Sequence, residues 1–169
     1  MQRSLALLVA LALTACAPHP APQPLPPQLA GSYDTGNPFA RILRGELPVA
    51  KVYEDAQVLA FMDTHPVLPG HVLVISKTSR ARNLLEVSPA DLARMMAVVR
   101  RVARAELVAL NCDGVRIEQN NGSAQTVFHL HIHVIPHMRG DWNRRGPETA
   151  VPVEALRPLA AKIAAAMQP

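Results

Sequence analysis

The chain has 169 residues, 49% hydrophobic and 18% charged, with a formal charge of +4 and a pI near 9.6. That length supports one domain of ordinary size, and the charge is too modest to indicate nucleic acid as a partner; no nucleic-acid module and no internal repeat is present. With only Cys16 and Cys112 in the chain, a cysteine-built zinc site is excluded.

Residues 1–15 read as a signal peptide. Arg3 supplies the positive start, and residues 5–13 form an apolar run too short to span a bilayer. Leu13-Thr14-Ala15-Cys16 resembles a bacterial lipobox, in which the cysteine becomes the acylated first residue. Ordinary cleavage, with Cys16 incidental, is the competing reading; a cysteine directly after a small residue favours acylation. The expectation is an exported protein held at the periplasmic face of a bacterial envelope membrane through Cys16. Residues 16–37 read as a tether: Pro18, Pro20, Pro22, Pro24, Pro26 and Pro27 favour extended polyproline II, at ~3.1 Å per residue. His19 inside it is incidental. If Cys16 is acylated, Cys112 has no intrachain partner and the domain rests on its core alone.

Residues 38–169 form the domain. Asn37 caps a short helix with Pro38 at its first position and Gly45 as its stop. Residues 51–53 and 58–62 have strand character around the polar turn Glu54-Asp55-Ala56-Gln57, and 71–75 is a third strand entered through Pro69-Gly70. Ser88, Pro89 and Asp91 open a long helix whose stripe is Leu92, Met95, Val99, Val102 and Leu110, with Arg94, Arg100, Arg101 and Arg104 mostly off it. Asn111-Cys112-Asp113-Gly114 ends it, and residues 115–119 make the next strand. A turn at Asn120-Asn121-Gly122 then suggests a hairpin into a last strand, and 153–167 reads as a terminal helix. The sum is an α+β domain, an antiparallel meander of about five strands with helices on its apolar face.

The informative stretch is Thr126-Val127-Phe128-His129-Leu130-His131-Ile132-His133-Val134-Ile135-Pro136. On a strand, alternate side chains share a face, so His129, His131 and His133 line one side and Leu130, Ile132 and Val134 the other. The outer imidazoles would stand roughly 13 Å apart, with Pro136 closing the run. Three readings compete: a solvated polar face, a zinc site, and catalysis by imidazole. Zinc is weakened because one tetrahedral ion with ~2.0 Å bonds cannot take both outer histidines.

The flanking residues add a resemblance. The alternating histidines followed by Val134-Ile135 resemble the signature of the histidine triad (HIT) family of nucleotide hydrolases and transferases. Asn120-Asn121-Gly122-Ser123-Ala124-Gln125-Thr126-Val127 is similar to the loop that precedes the triad there, and the segment from Asp63 through Pro69-Gly70-His71-Val72-Leu73-Val74 to Lys77 resembles its other hallmark. Together they cover about residues 37–168.

The resemblance implies a HIT-like fold and a covalent mechanism. His131 would attack the α-phosphorus of a nucleotide to give a nucleotidyl-histidine that water hydrolyses. His133 and His129 would orient the phosphate and help protonate the leaving group, with His71 completing the set. Asp63 would accept the ribose hydroxyls with Thr64 beside it, Phe39 and Ile42 would line the base pocket, and Asn120, Gln125 and Thr126 would donate to phosphate oxygens. Read from residues alone, Asp63 and Asn120 serve equally as turn residues and Phe39 as core. No cofactor and no metal is implied; the partners are a nucleotide-type substrate, such as a nucleoside phosphoramidate or dinucleoside polyphosphate, and a second copy paired through the long helix and an edge strand. The chain departs from the family pattern in the short Ser123-Ala124 link, in His137 where arginine is frequent, and in Ser76 where proline is usual. An exported zinc-binding protein and a catalytically silent nucleotide binder are the alternatives.

Overall fold

The computed structural model describes Pro24, Pro26 and residues 29–141 and 150–167. The signal peptide, Cys16 and most of the proline-rich stretch lie outside the described residues. In chain order the elements are α1 (Pro38–Leu43), β1 (Lys51–Glu54), β2 (Val58–Met62), β3 (Val72–Ser76), α2 (Pro89–Leu110), β4 (Gly114–Glu118), β5 (His131–His137) and α3 (Val153–Ala166). The strands form one antiparallel sheet in the order β1-β2-β3-β5-β4, the α+β arrangement expected.

Both expected caps form. Asn37 Oδ1 accepts from Ala40 N–H at 2.9 Å. Ser88 Oγ accepts from Asp91 N–H at 3.1 Å and donates to Asp91 Oδ2 at 2.7 Å; such caps are each worth about 1 kcal/mol. Asn111 ends α2 in the left-handed region at φ 52°.

Alternation in β2, β3 and β5 divides the core between two faces. Val58, Ala60, Met62, Val72, Val74, Ile132 and Val134 pack against α2 and α3. The α2 stripe is buried at Met95, Val99 and Val102, and Val98, Ala105 and Glu106 are buried with it. The other face is not solvated. There Leu59, Phe61, Leu73 and Ile75 form a second apolar cluster with Phe39 of α1, so the helices occupy both faces rather than one.

Three local expectations need correction. Residues 126–129 bend instead of extending, so β5 begins at His131 and His129 lies outside it. β4 and β5 pair as the expected hairpin, but their link runs over residues 119–130 and holds a 3₁₀ turn at Gly122–Ala124, longer than the turn expected at Asn120-Asn121-Gly122. Pro136 does not close the run. The His137 carbonyl accepts from Asp113 N–H on the β4 side, so the Pro136 nitrogen faces the opposite edge. Pairing with β3 has already ended there at Val72↔Val134, and the missing N–H breaks no ladder bond.

Gly70 fixes the entry to β3. Its φ is +102°, and a Cβ there would lie 2.5 Å from Leu110 Cδ1 and 2.8 Å from Pro136 Cγ. Only glycine fits this turn. It sets the direction in which the next residue, His71, enters the sheet.

Candidate active site

Register brings the histidines together. Leu73 pairs with His133 and Ile75 with His131, so both imidazoles rise from the face that carries the Phe39 cluster. The ring centroids of His131 and His133 are 4.9 Å apart, and those of His71 and His133 are 5.0 Å apart. Phe39 meets His131 and His129 edge-on at 5.1 and 5.9 Å. His71, His129 and His131 are buried, with exposures of 1%, 1% and 4%.

Hydrogen bonds settle the tautomers. His131 Nδ1 lies 2.7 Å from the His129 carbonyl. A carbonyl only accepts, so Nδ1 carries the proton and Nε2 the lone pair. His71 Nδ1 accepts from Val67 N–H at 3.1 Å. The His71 proton is therefore on Nε2, which donates to His133 Nδ1 at 2.9 Å. That in turn places the His133 proton on Nε2, whose neighbour at 3.5 Å is Asn120 Nδ2. The result is one imidazole with a free lone pair beside another with a free N–H.

Burial keeps these rings neutral. It pushes His71, His129 and His133 down to about 4, the Arg116 charge adding to the effect at His71, and the repulsion that two cationic rings would feel adding to it at His133 beside His71. His131 is likewise lowered by burial. Asp63 Oδ2 lies 3.4 Å from His71 Nδ1; that nitrogen already accepts from Val67, and His71 is neutral at pH 7, so the contact is not an ion pair.

Beside the row opens a cavity of about 810 Å³. Phe39, Ile42, Leu47, Val49, Phe61 and Leu73 give it an apolar lining, while Asp63, Thr64, His71, Asn120, Thr126, His131 and His133 supply the polar groups. Asp63 uses Oδ1 to accept from His65 N–H at 2.8 Å, so it is at once the turn residue and a cavity residue. Of the residues singled out in the sequence, Gln125 and His129 do not line this cavity. Gln125 Nε2 donates to the carbonyls of Arg82 and Val127. His129 Nε2 lies 3.3 Å from the Ser76 carbonyl, and its Nδ1 lies 2.6 Å from Tyr33 Oη.

Sequence reasoning missed Tyr33, the Val67 N–H and Glu118, which pairs with His133 across the sheet. A backbone N–H leaves no sequence signal. A lone aromatic just after a proline-rich stretch was a signal available for Tyr33. Asp63, His71 and His133 also offer ligand atoms within 4.8 Å of one another, a set that could hold a metal ion.

Residues 44–140 match the family model described as the HIT domain. An uncharacterized HIT-like protein of Mycobacterium tuberculosis is 37% identical over 140 residues, covering 77% of this chain and 96% of that protein. An adenylylsulfatase of Arabidopsis thaliana is 39% identical over 105 residues, 61% of this chain and 53% of that one. Among solved structures, a HIT-like protein involved in cell-cycle regulation from Bartonella henselae superposes with a TM-score of 0.75 at 43% identity, over 80% of this chain and 99% of that chain. A zinc-bound histidine triad protein from Mycobacterium smegmatis gives 0.68 at 36% identity, over 79% and 94%.

Proposed function

The chain belongs to the HIT-domain family of nucleotide-binding hydrolases and transferases, and on that premise we propose that it cleaves nucleoside phosphoramidates or dinucleoside polyphosphates at the α-phosphate. The observation that carries this reading is the bond from His131 Nδ1–H to the His129 carbonyl, which leaves a neutral nucleophilic Nε2 on a side chain lining the cavity. The base sits against Phe39 and Ile42, and the ribose hydroxyls meet Asp63 and Thr64. His131 Nε2 attacks phosphorus, a P–N bond forms and the bond to the leaving group breaks, the leaving group keeping the bonding pair and taking a proton from solvent; the His129 carbonyl stabilises the resulting imidazolium. His133 Nε2–H, oriented by His71, donates to the phosphate as charge develops. Water then cleaves the P–N bond and restores the lone pair.

A panel of adenosine and guanosine phosphoramidates, dinucleoside polyphosphates and adenylyl sulfate, the last suggested by the Arabidopsis relative's name, tests this with the full chain. At least one should release the nucleoside monophosphate. Binding without release from any of them would make the protein a silent nucleotide binder.

A second reading, zinc, rests on the Asp63, His71 and His133 cluster. The two imidazoles there already bond to each other, so a metal would have to break the link that orients His133. Activity should therefore survive EDTA, and added Zn²⁺ should inhibit. Stoichiometric bound zinc, with activity lost on chelation and regained on re-addition, would establish metal-assisted hydrolysis instead.

We also infer a lipid anchor at Cys16 and a homodimer. Cys16→Ser should move the protein from the membrane to the soluble fraction; an unmodified mature N-terminus in the native protein would sink the anchor. For the dimer, the support is that β4 ends the sheet among the described residues, with Ile117 on it and Leu107 and Val108 of α2 exposed. A dimer in sedimentation that becomes a monomer on Val108→Glu is expected. A monomeric native chain would dismiss it.

A further inference from the structure

His129 stands apart from the other two triad residues in how it is held. It precedes β5, in a stretch of bends, so no ladder fixes its backbone. Yet its carbonyl is the acceptor that sets the tautomer of His131. Its position depends on other contacts. Leu130 N–H, in the same peptide unit as that carbonyl, bonds to the Ala81 carbonyl at 2.8 Å. The imidazole is gripped at both nitrogens. Nε2–H donates to the Ser76 carbonyl at 3.3 Å, and Nδ1 accepts from the Tyr33 hydroxyl at 2.6 Å. The second bond is much the shorter and stronger. The rings of Tyr33 and His129 also meet, with centroids 5.6 Å apart.

Tyr33 comes from the end of the stretch that reads as tether, and that end lies against the domain. The Leu29 carbonyl accepts from Arg82 Nη1 at 2.8 Å and from Asn83 Nδ2 at 3.4 Å. A Cβ on Gly31 would lie 3.0 Å from the Arg82 guanidinium carbon, and the Leu29 side chain sits over Gly122, at the start of the 3₁₀ turn in the loop that leads to the triad. Arg82 in turn packs on the Phe128 ring at 4.9 Å, directly before His129. Residues 29–33 thus strap the approach to the triad and deliver one phenol to its first histidine.

We propose that Tyr33 is a positioning residue for the triad: its hydroxyl donates to His129 Nδ1, holds that ring in the Nε2–H tautomer, and thereby steadies the carbonyl that orients His131. This rests on the hydrolase reading of the site only for its kinetic consequence. The hydroxyl is not a catalytic group, because Tyr33 does not line the nucleotide cavity.

The test is Tyr33→Phe in the full chain, which removes one oxygen and keeps the ring, with Tyr33→Ala as the more severe variant. Histidine ¹⁵N–¹H correlation spectra should show a single Nε2–H tautomer for His129 in the native protein. In Tyr33→Phe they should show a second tautomer or exchange broadening at both ring nitrogens. With a phosphoramidate substrate, kcat should fall about five- to tenfold while KM stays within about twofold, and Tyr33→Ala should lose more. A merely structural role would lower the melting temperature yet leave the tautomer and kcat unchanged well below it, and that result overturns the proposal. If the native chain hydrolyses nothing in the substrate panel, the hydrolase reading fails by itself, and the His129 spectrum alone decides for or against Tyr33.

Discussion

Replacing His131 by alanine or asparagine should reduce turnover by roughly three orders of magnitude or more, with the fold and nucleotide binding retained. The size of the effect follows from what is removed. Among the described residues no neighbour can take over the attack. His133 Nδ1 is committed to His71 and its Nε2 carries a proton, while His129 has both nitrogens bonded and lies outside the cavity. Asparagine is the sharper variant, since its amide can still donate to the His129 carbonyl and so keeps the local polar contact satisfied. Binding should survive because the proposed nucleoside contacts are Phe39, Ile42, Asp63 and Thr64, of which only Phe39 touches the His131 ring. A folded variant that keeps more than about a tenth of native kcat would assign the chemistry elsewhere. Unchanged kcat together with weakened nucleotide affinity would make His131 a binding residue.

Why some of this was legible beforehand, and some not, follows from where the determinants lie. The caps at Asn37 and Ser88 and the strand 58–62 depend on residues next to one another in the chain and form as expected, and the strand expected over 71–75 forms one residue later, over 72–76. The grouping of His71 with His131 and His133 was legible only through motif resemblance, because it is made by pairing between β3 and β5. The place of His129 is hidden from the sequence for a related reason. Alternation extends the strand back to residue 126, but Leu130 N–H bonds to Ala81, a residue of the loop after β3, and that loop contact bends the chain. Gln125 takes its expected phosphate-donor role from the resemblance of its loop to that of the family. Its donors are taken by the Arg82 and Val127 carbonyls, and no pattern announces carbonyl acceptors. Glu106 is the opposite case. The α2 stripe 92, 95, 99, 102, 110 has its missing step at 106, so the spacing itself places a carboxyl on the buried face.

That carboxyl should make the protein less stable as the solution turns alkaline, and Glu106→Met should remove the effect. Glu106 is fully buried, neither of its oxygens has a hydrogen-bond partner among the described residues, and burial pushes it up to about 9. At pH 7 it is a neutral acid in the folded chain and an anion in the unfolded one. Its folded pKa is raised, so its contribution is fully present below about 4.5 and is lost as pH rises towards 9; between pH 4.5 and 7 the loss amounts to ~3 kcal/mol. The buried histidines have the opposite sign. Their folded pKa values are depressed to about 4, so they add stability as pH rises from there to their unfolded value near 6.5. Above that they contribute no further slope. Cys112, also raised by burial from 9.0, titrates higher still. The window from about pH 7 to 9 therefore belongs to Glu106. Melting temperatures should fall across it in the native protein and stay level in Glu106→Met, which should melt on the order of 10 °C higher at pH 8. Glutamine should also flatten the slope but gain less, because it leaves an unpaired amide in the same apolar surroundings. A native melting curve that is flat from pH 7 to 9, or a methionine variant that melts lower than the native chain at pH 8, would show that Glu106 has a partner its surroundings do not reveal.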